Sequence, residues 1–213
     1  MHIGAHCEII GRGIAFERAF PLLKSLGAEG VELVMREGAQ LSLTSSDAAF
    51  LHAARLAADE GLAIDGLTAG YTWSLPMTSG DESVRARGFE ALIRQMEAAK
   101  LLGTDSLLIV PGYARTEFIA SDETVEVPLA LERAKEAIAR ALEAAAGLRV
   151  SLNVEDVWNG MLRAPREMAA FLDGFGSEWI GAYFDVANVY PEGDPVEWVR
   201  VLNKRIRRVH MKD

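Results

Sequence analysis

The chain has 213 residues, of which 50% are hydrophobic and 25% are charged, as in an ordinary globular protein with a sizeable core. With 31 acidic and 22 basic residues the net charge is −9, which argues against nucleic acid or an anionic membrane surface as the main partner. The single cysteine, Cys7, cannot form an intrachain disulfide, and no signal peptide or membrane-spanning run is evident, so we expect a cytoplasmic protein.

Apolar strand-like runs alternate with helical patterns along the chain. Phe89, Leu92, Ile93 and Met96, for example, follow the helical spacing i, i+3, i+4, i+7. The predicted strands cover residues 2–9, 30–35, 63–70, 106–112, 149–156, 180–189 and 206–213. The predicted helices lie near residues 15–27, 45–61, 80–102, 126–147, 164–175 and 194–204.

Capping residues and glycines predict where several of these helices begin and end. Ser79 with Glu82, and Asp194 with Glu197, have the spacing of capping boxes. Pro21 is expected to kink the first helix or to delay its start. Four glycines follow predicted helices, as C-cap glycines do: Gly27, Gly61, Gly103 and Gly147.

Seven strands alternating with six helices predict parallel βα units in a single domain, residues 1–213. Two α/β architectures fit this pattern, a doubly wound sheet and a (β/α)₈ barrel. The "GRG" at residues 11–13 lacks the third glycine of a dinucleotide-binding turn and gives the doubly wound sheet little support.

Polar residues stand near the carboxyl ends of the last three predicted strands. Because side chains alternate faces along a strand, Glu155, Asp185 and His210 each lie opposite an apolar face that would pack on helices. Barrels of this class place their sites at these strand ends. Two carboxylates and one imidazole suit Mn²⁺, Zn²⁺, Co²⁺ or Mg²⁺, so the sequence predicts a divalent-metal site.

Each of these residues also has a structural interpretation. His210 alone could be a hydrogen-bonded residue at a strand end, Asp185 could cap a loop, and Glu155 beside Asp156 could begin the next helix. Because three such residues stand near the ends of successive strands, a metal site is as well supported as three separate structural roles.

Several segments resemble the sugar-phosphate isomerase/epimerase family of xylose-isomerase-like barrels. "NVEDVWNGMLRAPREMAAFLDGFGS", "IGAYFDVANV" and "KRIRRVHMKD" are similar to its fifth, sixth and seventh units. "TAGYTWSLPMTSGDESVRARG" and "LLGTDSLLIVPG" are similar to the third and fourth. The hexulose-6-phosphate isomerase and L-ribulose-5-phosphate 3-epimerase type is the nearest branch. The resemblance implies a (β/α)₈ TIM barrel with seven strands present and the eighth missing.

The same resemblance implies a metal-dependent reaction on a ketose or ketose phosphate through a cis-enediolate. Glu155, Asp185 and His210 match three of the family's four metal ligands, and Mn²⁺ is the expected ion. Glu155 would also be the catalytic base. The fourth ligand, a second Glu, lies on the eighth strand in the family, so epimerisation by this chain alone is expected to be weak or absent.

Six further residues are predicted to bind substrate, each with a competing structural interpretation. Glu32 could be a buried carboxylate, the aromatic pair 71 and 73 could simply pack, and Asn159 could cap a turn. Asn188 stands where some family branches carry a histidine, and Lys212 could be solvated. His6 is expected to pack in the core rather than to line the pocket. The predicted substrate-binding residues are Glu32, Tyr71, Trp73, Asn159, Asn188 and Lys212.

Competing functions remain open at this point. The alternative to an isomerase or epimerase is a catalytically impaired barrel that lacks the final Glu. Less favoured are a hydroxypyruvate isomerase or sugar dehydratase of the same superfamily, and an apurinic-site endonuclease, which needs more than four histidines and a basic groove. The expected partner is a small sugar or sugar phosphate, and the open strand edges allow a homodimer.

Overall fold

The computed structural model describes residues 2–116, 119, 123–191 and 193–212. The strands are β1 (Gly4–His6), β2 (Gly30–Met35), β3 (Ala63–Ala69), β4 (Ser106–Ile109), β5 (Ser151–Glu155), β6 (Ile180–Asp185) and β7 (Ile206–His210). The α-helices are α1 (Phe16–Ser25), α2 (Asp47–Asp59), α3 (Glu82–Leu102), α4 (Val127–Leu148), α5 (Pro165–Asp173), α6 (Val186–Val189) and α7 (Pro195–Leu202). None of these helices is both long and apolar enough to cross a membrane.

The seven strands form one parallel sheet whose spatial order is the order of the chain, β1 to β7. A doubly wound sheet changes direction at a switch point, so this sequential order excludes that alternative and confirms the barrel-type prediction. Within the described segments β1 pairs only with β2, and β7 only with β6. The curled sheet therefore stays open at the place where an eighth βα unit would close a TIM barrel.

Alternating side chains divide each strand between an outer layer that packs on the helices and an inner face. On β5 and β6 the outward residues Val154 and Phe184 are each 1% exposed, which confirms the predicted apolar face. On β7 that prediction is wrong, because Val209 is 50% exposed and Met211, just beyond the strand, is 77% exposed. No helix follows β7 in the described residues, so nothing covers these side chains.

Six of the seven predicted strands are longer than the observed ones, and only the second, residues 30–35, has the predicted bounds. The first covers only Gly4–His6, and the seventh ends at His210. The last residue of the predicted seventh strand, Asp213, lies outside the described residues. The sixth ends at Asp185, whose carboxylate accepts hydrogen bonds from two backbone amides of α6 and so starts a helix where extended chain was predicted.

The helix-end predictions are confirmed in part. Gly27, Gly61 and Gly103 have φ of 94°, 65° and 82°, the left-handed values that favour glycine after a helix. Gly147 instead lies inside α4, and Arg149 adopts the left-handed conformation in its place. The helix before it, α3, is capped by Asp81.

Ser79 is not the cap of α3, because its hydroxyl donates a hydrogen bond of 2.9 Å to Glu123. Asp194 does cap α7, where its side chain accepts from Val196 N at 2.9 Å. Pro21 does not delay α1, which begins at Phe16 and buries Phe20 and Leu23 on its inner face. Burial of that apolar face offsets the hydrogen bond that proline removes.

Candidate active site

The carboxyl ends of β5, β6 and β7 bring Glu155, Asp185 and His210 together. Asp185 and His210 are register partners across the β6–β7 pair, and Glu155 pairs with Tyr183, two residues before Asp185. His210 Nδ1 lies 3.6 Å from Glu155 Oε1 and 3.7 Å from Asp185 Oδ2. One donor atom from each residue lies within 4.8 Å of the others. We call these three residues the ligand cluster.

Asp185 uses its two carboxylate oxygens differently. Oδ1 accepts hydrogen bonds from Ala187 N at 3.0 Å and from Asn188 N at 3.1 Å, which fixes the side chain at the start of α6. Oδ2 is buried and accepts no hydrogen bond of favourable geometry, although Lys212 Nζ lies 2.6 Å from it. Burial opposes ionisation, but His210 and Lys212 outweigh it and hold the pKa of Asp185 below its usual value.

Glu32, at the middle of β2, orients the imidazole of His210 from the other side. It is 5% exposed, and its Oε1 lies 3.0 Å from His210 Nε2. Thr68 donates a hydrogen bond of 2.9 Å to the same oxygen, and the Tyr183 hydroxyl donates to Oε2. An Nε2–H bond to Glu32 leaves His210 Nδ1 directed at Glu155 and Asp185, as in metal-binding histidines whose second nitrogen is held by a carboxylate.

The charges of the cluster set the protonation of His210 when no metal is present. Burial lowers the pKa of the imidazole, but Asp185, Glu155 and Glu32 raise it by more, to about 11. Burial raises the pKa of Glu155, and His210 only partly offsets this effect. In the metal-free cluster the carboxylates therefore favour a protonated His210, and a divalent cation would displace the proton on Nδ1.

These donors fit a divalent metal ion. Two carboxylates and an imidazole nitrogen are a ligand set that Mn²⁺, Zn²⁺ and Co²⁺ accept. The buried, poorly satisfied Asp185 Oδ2 and the oriented His210 Nδ1 both face the same point. A cation there would supply the partner that Oδ2 lacks, since buried polar atoms are normally paired.

The other predicted site residues have different surroundings. Trp73 stacks on Tyr113 with ring centroids 6.2 Å apart and packs against an apolar cluster that contains Tyr183. The Tyr183 ring lies 4.5 Å from that of His210, so Trp73 lies on the same side of the sheet as the ligand cluster. Tyr71 does not, because it is buried in the layer between strands and helices and its hydroxyl accepts from Leu43 N at 3.1 Å. The prediction that Tyr71 lines the sugar site is not supported.

Two predicted substrate-binding asparagines hold loops together. Asn159 is buried, donates to Gly112 O at 2.9 Å and accepts from Met161 N at 3.0 Å, which supports its interpretation as a turn residue. Asn188 donates to Asp156 O at 2.7 Å. Lys212 lies closer to the cluster than expected for a solvated lysine, through its contact with Asp185. Direct roles of Asn188 and Lys212 toward a substrate stay predictions.

Sequence reasoning gave no role to Asp156 and Tyr183, which support the cluster from behind. Asp156 Oδ1 accepts from Asp185 N at 2.7 Å, which ties the end of β5 to the end of β6. Tyr183 shares the inward face of β6 with Asp185, and this alternation was the one available signal for it. Asp156 follows Glu155 directly, and the pair could equally begin a helix, so no feature of the sequence indicated a role for Asp156 in the site.

Replacing Asp156 with asparagine should stabilise the metal-free chain at alkaline pH. Asp156 is 6% exposed, its Oδ2 has no hydrogen-bond partner, and burial raises its pKa to about 8. Because the folded-state pKa is above the unfolded value, the wild-type chain loses stability as pH rises from about 4 to about 8. We expect Asp156→Asn to raise the free energy of unfolding by about 1–3 kcal/mol at pH 8, with little change at pH 4.5.

Urea unfolding in EDTA at both pH values would measure this effect. Asp59→Asn, an exposed carboxylate at the end of α2, is the matched control and should show no such pH-dependent gain. Equal effects of the two substitutions at pH 8 would show that burial of Asp156 does not penalise its ionisation.

Known proteins share this fold over the whole described length. A curated relative from Escherichia coli (strain K12), "Putative L-ribulose-5-phosphate 3-epimerase SgbU", is 25% identical over 216 residues, which cover 99% of this chain and 72% of the relative. A solved L-ribulose 3-epimerase has a TM-score of 0.82 at 24% identity, over 100% of this chain and 70% of that one. D-psicose 3-epimerase, crystallised in the presence of D-fructose, has a TM-score of 0.82 at 19% identity, over 99% and 72%. The model of the xylose isomerase-like TIM barrel family matches residues 20–213, and the chain belongs to this family.

Proposed function

We propose that the chain is a divalent-metal-dependent isomerase or epimerase of a ketose or ketose phosphate. The observation that carries this proposal is the ligand cluster, with Glu32 bonded to the far side of the His210 ring. The name of the E. coli relative refers to L-ribulose 5-phosphate, and the names of the two structures refer to free ketoses. Both kinds of ketose therefore belong in the first assays.

Glu155, Asp185 and His210 would hold the cation, with Mn²⁺ preferred over Zn²⁺, Co²⁺ and Mg²⁺ in our proposal. Such an ion would polarise the ketose carbonyl and its neighbouring hydroxyl. Asp185 is fixed by the start of α6 and His210 by Glu32, so neither needs to reorganise when the cation binds. Trp73 and Tyr183 would exclude water from one side of the sugar.

Glu155 would move the proton. Its carboxylate would take a proton from the carbon next to the carbonyl, leaving a cis-enediolate, and would then return the proton to the sugar. Burial raises the pKa of Glu155 in the metal-free cluster, and a raised pKa lets a carboxylate accept a proton more readily. Return on the same face to the neighbouring carbon gives an aldose, whereas epimerisation needs a second acid on the opposite face.

The open side of the sheet favours a second candidate function. Family resemblance puts a second glutamate on an eighth strand, and the described residues contain seven. A site in which Glu155 alone transfers protons would remove and return a proton from one face only. It would exchange the proton with solvent without inverting the carbon.

A deuterium-exchange assay separates these possibilities. The Mn²⁺-loaded chain would be incubated in D₂O with L-ribulose, D-fructose or L-ribulose 5-phosphate, and both exchange at the carbon next to the carbonyl and product formation would be followed by NMR. We expect exchange with the wild type and a loss of at least about 100-fold with Glu155→Gln. Exchange without a new sugar would favour the second candidate. No exchange with any ketose, from a chain that binds Mn²⁺, would contradict both.

The other candidate functions receive less support. A hydroxypyruvate isomerase or a dehydratase would use the same cluster, and the same assay with their substrates would reveal them. The net charge of −9 argues against an apurinic-site endonuclease. Among the described residues the outer edges of β1 and β7 are unpaired, which supports a homodimer that light scattering of the purified chain would test.

A further inference from the structure

His6 stands at the carboxyl end of β1, on the face of the sheet that carries the ligand cluster. It is the register partner of Glu32 on β2, so the two side chains point to the same side of the sheet. Glu32 in turn contacts His210. His6 therefore lies on the same side of the sheet as the ligand cluster, one strand away from Glu32, whose carboxylate orients His210.

The backbone fixes which nitrogen of His6 carries a proton. Glu8 N donates a hydrogen bond of 3.2 Å to His6 Nδ1, so in the neutral ring the proton is on Nε2. Burial lowers the pKa of His6 below the usual value, and Glu32 and Glu8 only partly oppose this. The turn that holds the ring is itself anchored, because Arg36 contacts Glu8 Oε1 at 2.5 Å and Cys7 N donates to Glu32 O at 2.8 Å.

Among the described residues the His6 ring takes part in one hydrogen bond, the one from Glu8 N to Nδ1, so its Nε2–H has no acceptor there. The side chain is half-buried and lies on the same face of the sheet as Glu32. His210 differs, because both of its nitrogens already have acidic neighbours. A donor such as His6 Nε2–H, held in place near the ligand cluster, can bind an acceptor oxygen of a ligand.

We propose that His6 binds a hydroxyl oxygen of the sugar through Nε2–H and sets how the sugar chain lies relative to Glu155. This inference rests on the proposed function. The neutral ring and the neighbouring carboxylates of Glu8 and Glu32 disfavour a phosphate at this position, so a hydroxyl is the group that fits. His6 is thus a substrate-binding and specificity residue that position alone had assigned to core packing.

Equilibrium binding tests this role without depending on turnover. L-Ribulose and D-fructose would be titrated into Mn²⁺-loaded wild type, His6→Ala and His6→Gln. We expect His6→Ala to weaken binding of the better ketose about 10-fold while Mn²⁺ affinity stays unchanged. His6→Gln, whose amide can still donate, should recover part of that loss. His52→Ala, an exposed histidine on α2, is the control and should bind as the wild type does.

Imidazole ¹⁵N NMR gives a second readout on the wild type and covers the case in which His6→Ala does not fold. We expect a ligand-free spectrum with Nε2 protonated, and a shift of His6 Nε2 on addition of ketose. Unchanged ketose affinity in both His6 variants, or an Nε2 signal that ketose does not move, would overturn the role of His6 alone. A wild-type chain that binds Mn²⁺ but neither ketose would overturn it together with the proposed function.

Discussion

The Asp185→Asn variant should bind Mn²⁺ at least about 100-fold more weakly than the wild type, which is a larger loss than removal of an outer partner usually causes. Asp185 Oδ2 is fully buried, faces His210 Nδ1 and is the oxygen that the start of α6 leaves unused. An asparagine would keep the Oδ1 contacts with α6 and place an NH₂ group where the cation should lie. It would also remove the negative charge that attracts the ion.

Isothermal titration with Mn²⁺ would measure this loss, and thermal unfolding would show whether the variant stays folded. Asp59→Asn again serves as control, because it removes one carboxylate from the surface without touching the cluster. Glu155→Gln and His210→Ala should show losses of the same order. If all three variants bind Mn²⁺ as the wild type does, the ligand cluster is not a metal site and the proposed mechanism fails.

Strand alternation was enough to predict which residues of the last three strands meet. Asp185 and His210 are register partners, and Glu155 pairs with Tyr183, which lies on the same face of β6 as Asp185. Parallel strands bring their carboxyl ends to one edge of the sheet, so the three side chains meet there. The regular alternation of strands and helices predicted parallel βα units but fitted both a doubly wound sheet and a barrel. The family resemblance favoured the barrel, and the observed sequential strand order agrees with it.

Contacts between distant parts of the chain could not be predicted in this way. Glu32 and His210 are 178 residues apart, and only the curling of the sheet brings them together. Val209 is exposed because no helix among the described residues covers it, which the strand pattern alone does not reveal. The C-cap of α4 is Arg149 rather than the predicted Gly147, because the helical hydrogen bonds continue for two more residues.

Affinity for Mn²⁺ should rise about 10-fold for each pH unit between pH 7 and pH 9. In the metal-free chain the neighbouring carboxylates raise the pKa of His210 to about 11, so the ring is protonated throughout this range. Because the folded pKa is above the ordinary 6.5, this imidazolium stabilises the metal-free fold below pH 6.5, and the stabilisation is lost as pH rises through about 11. A cation must displace that proton from Nδ1. Because one proton is released for each cation bound, the affinity rises about 10-fold for each unit of pH.

Titrations at pH 7, 8 and 9 would give the slope, and calorimetry in two buffers of different ionisation enthalpy would count the released protons. We expect release of close to one proton per Mn²⁺ in the wild type and in His52→Ala. In His210→Gln the side chain at position 210 should release none, because glutamine offers an oxygen ligand but does not titrate. Burial raises the pKa of Asp156 to about 8 and also raises the pKa of Glu155, so the protons that these carboxylates release are measured in His210→Gln and subtracted. An affinity that does not change between pH 7 and pH 9 would mean that His210 is neutral before the metal arrives. In that case Glu32, Glu155 and Asp185 would not hold a proton on the ring, and the charge balance of the cluster would have to be revised.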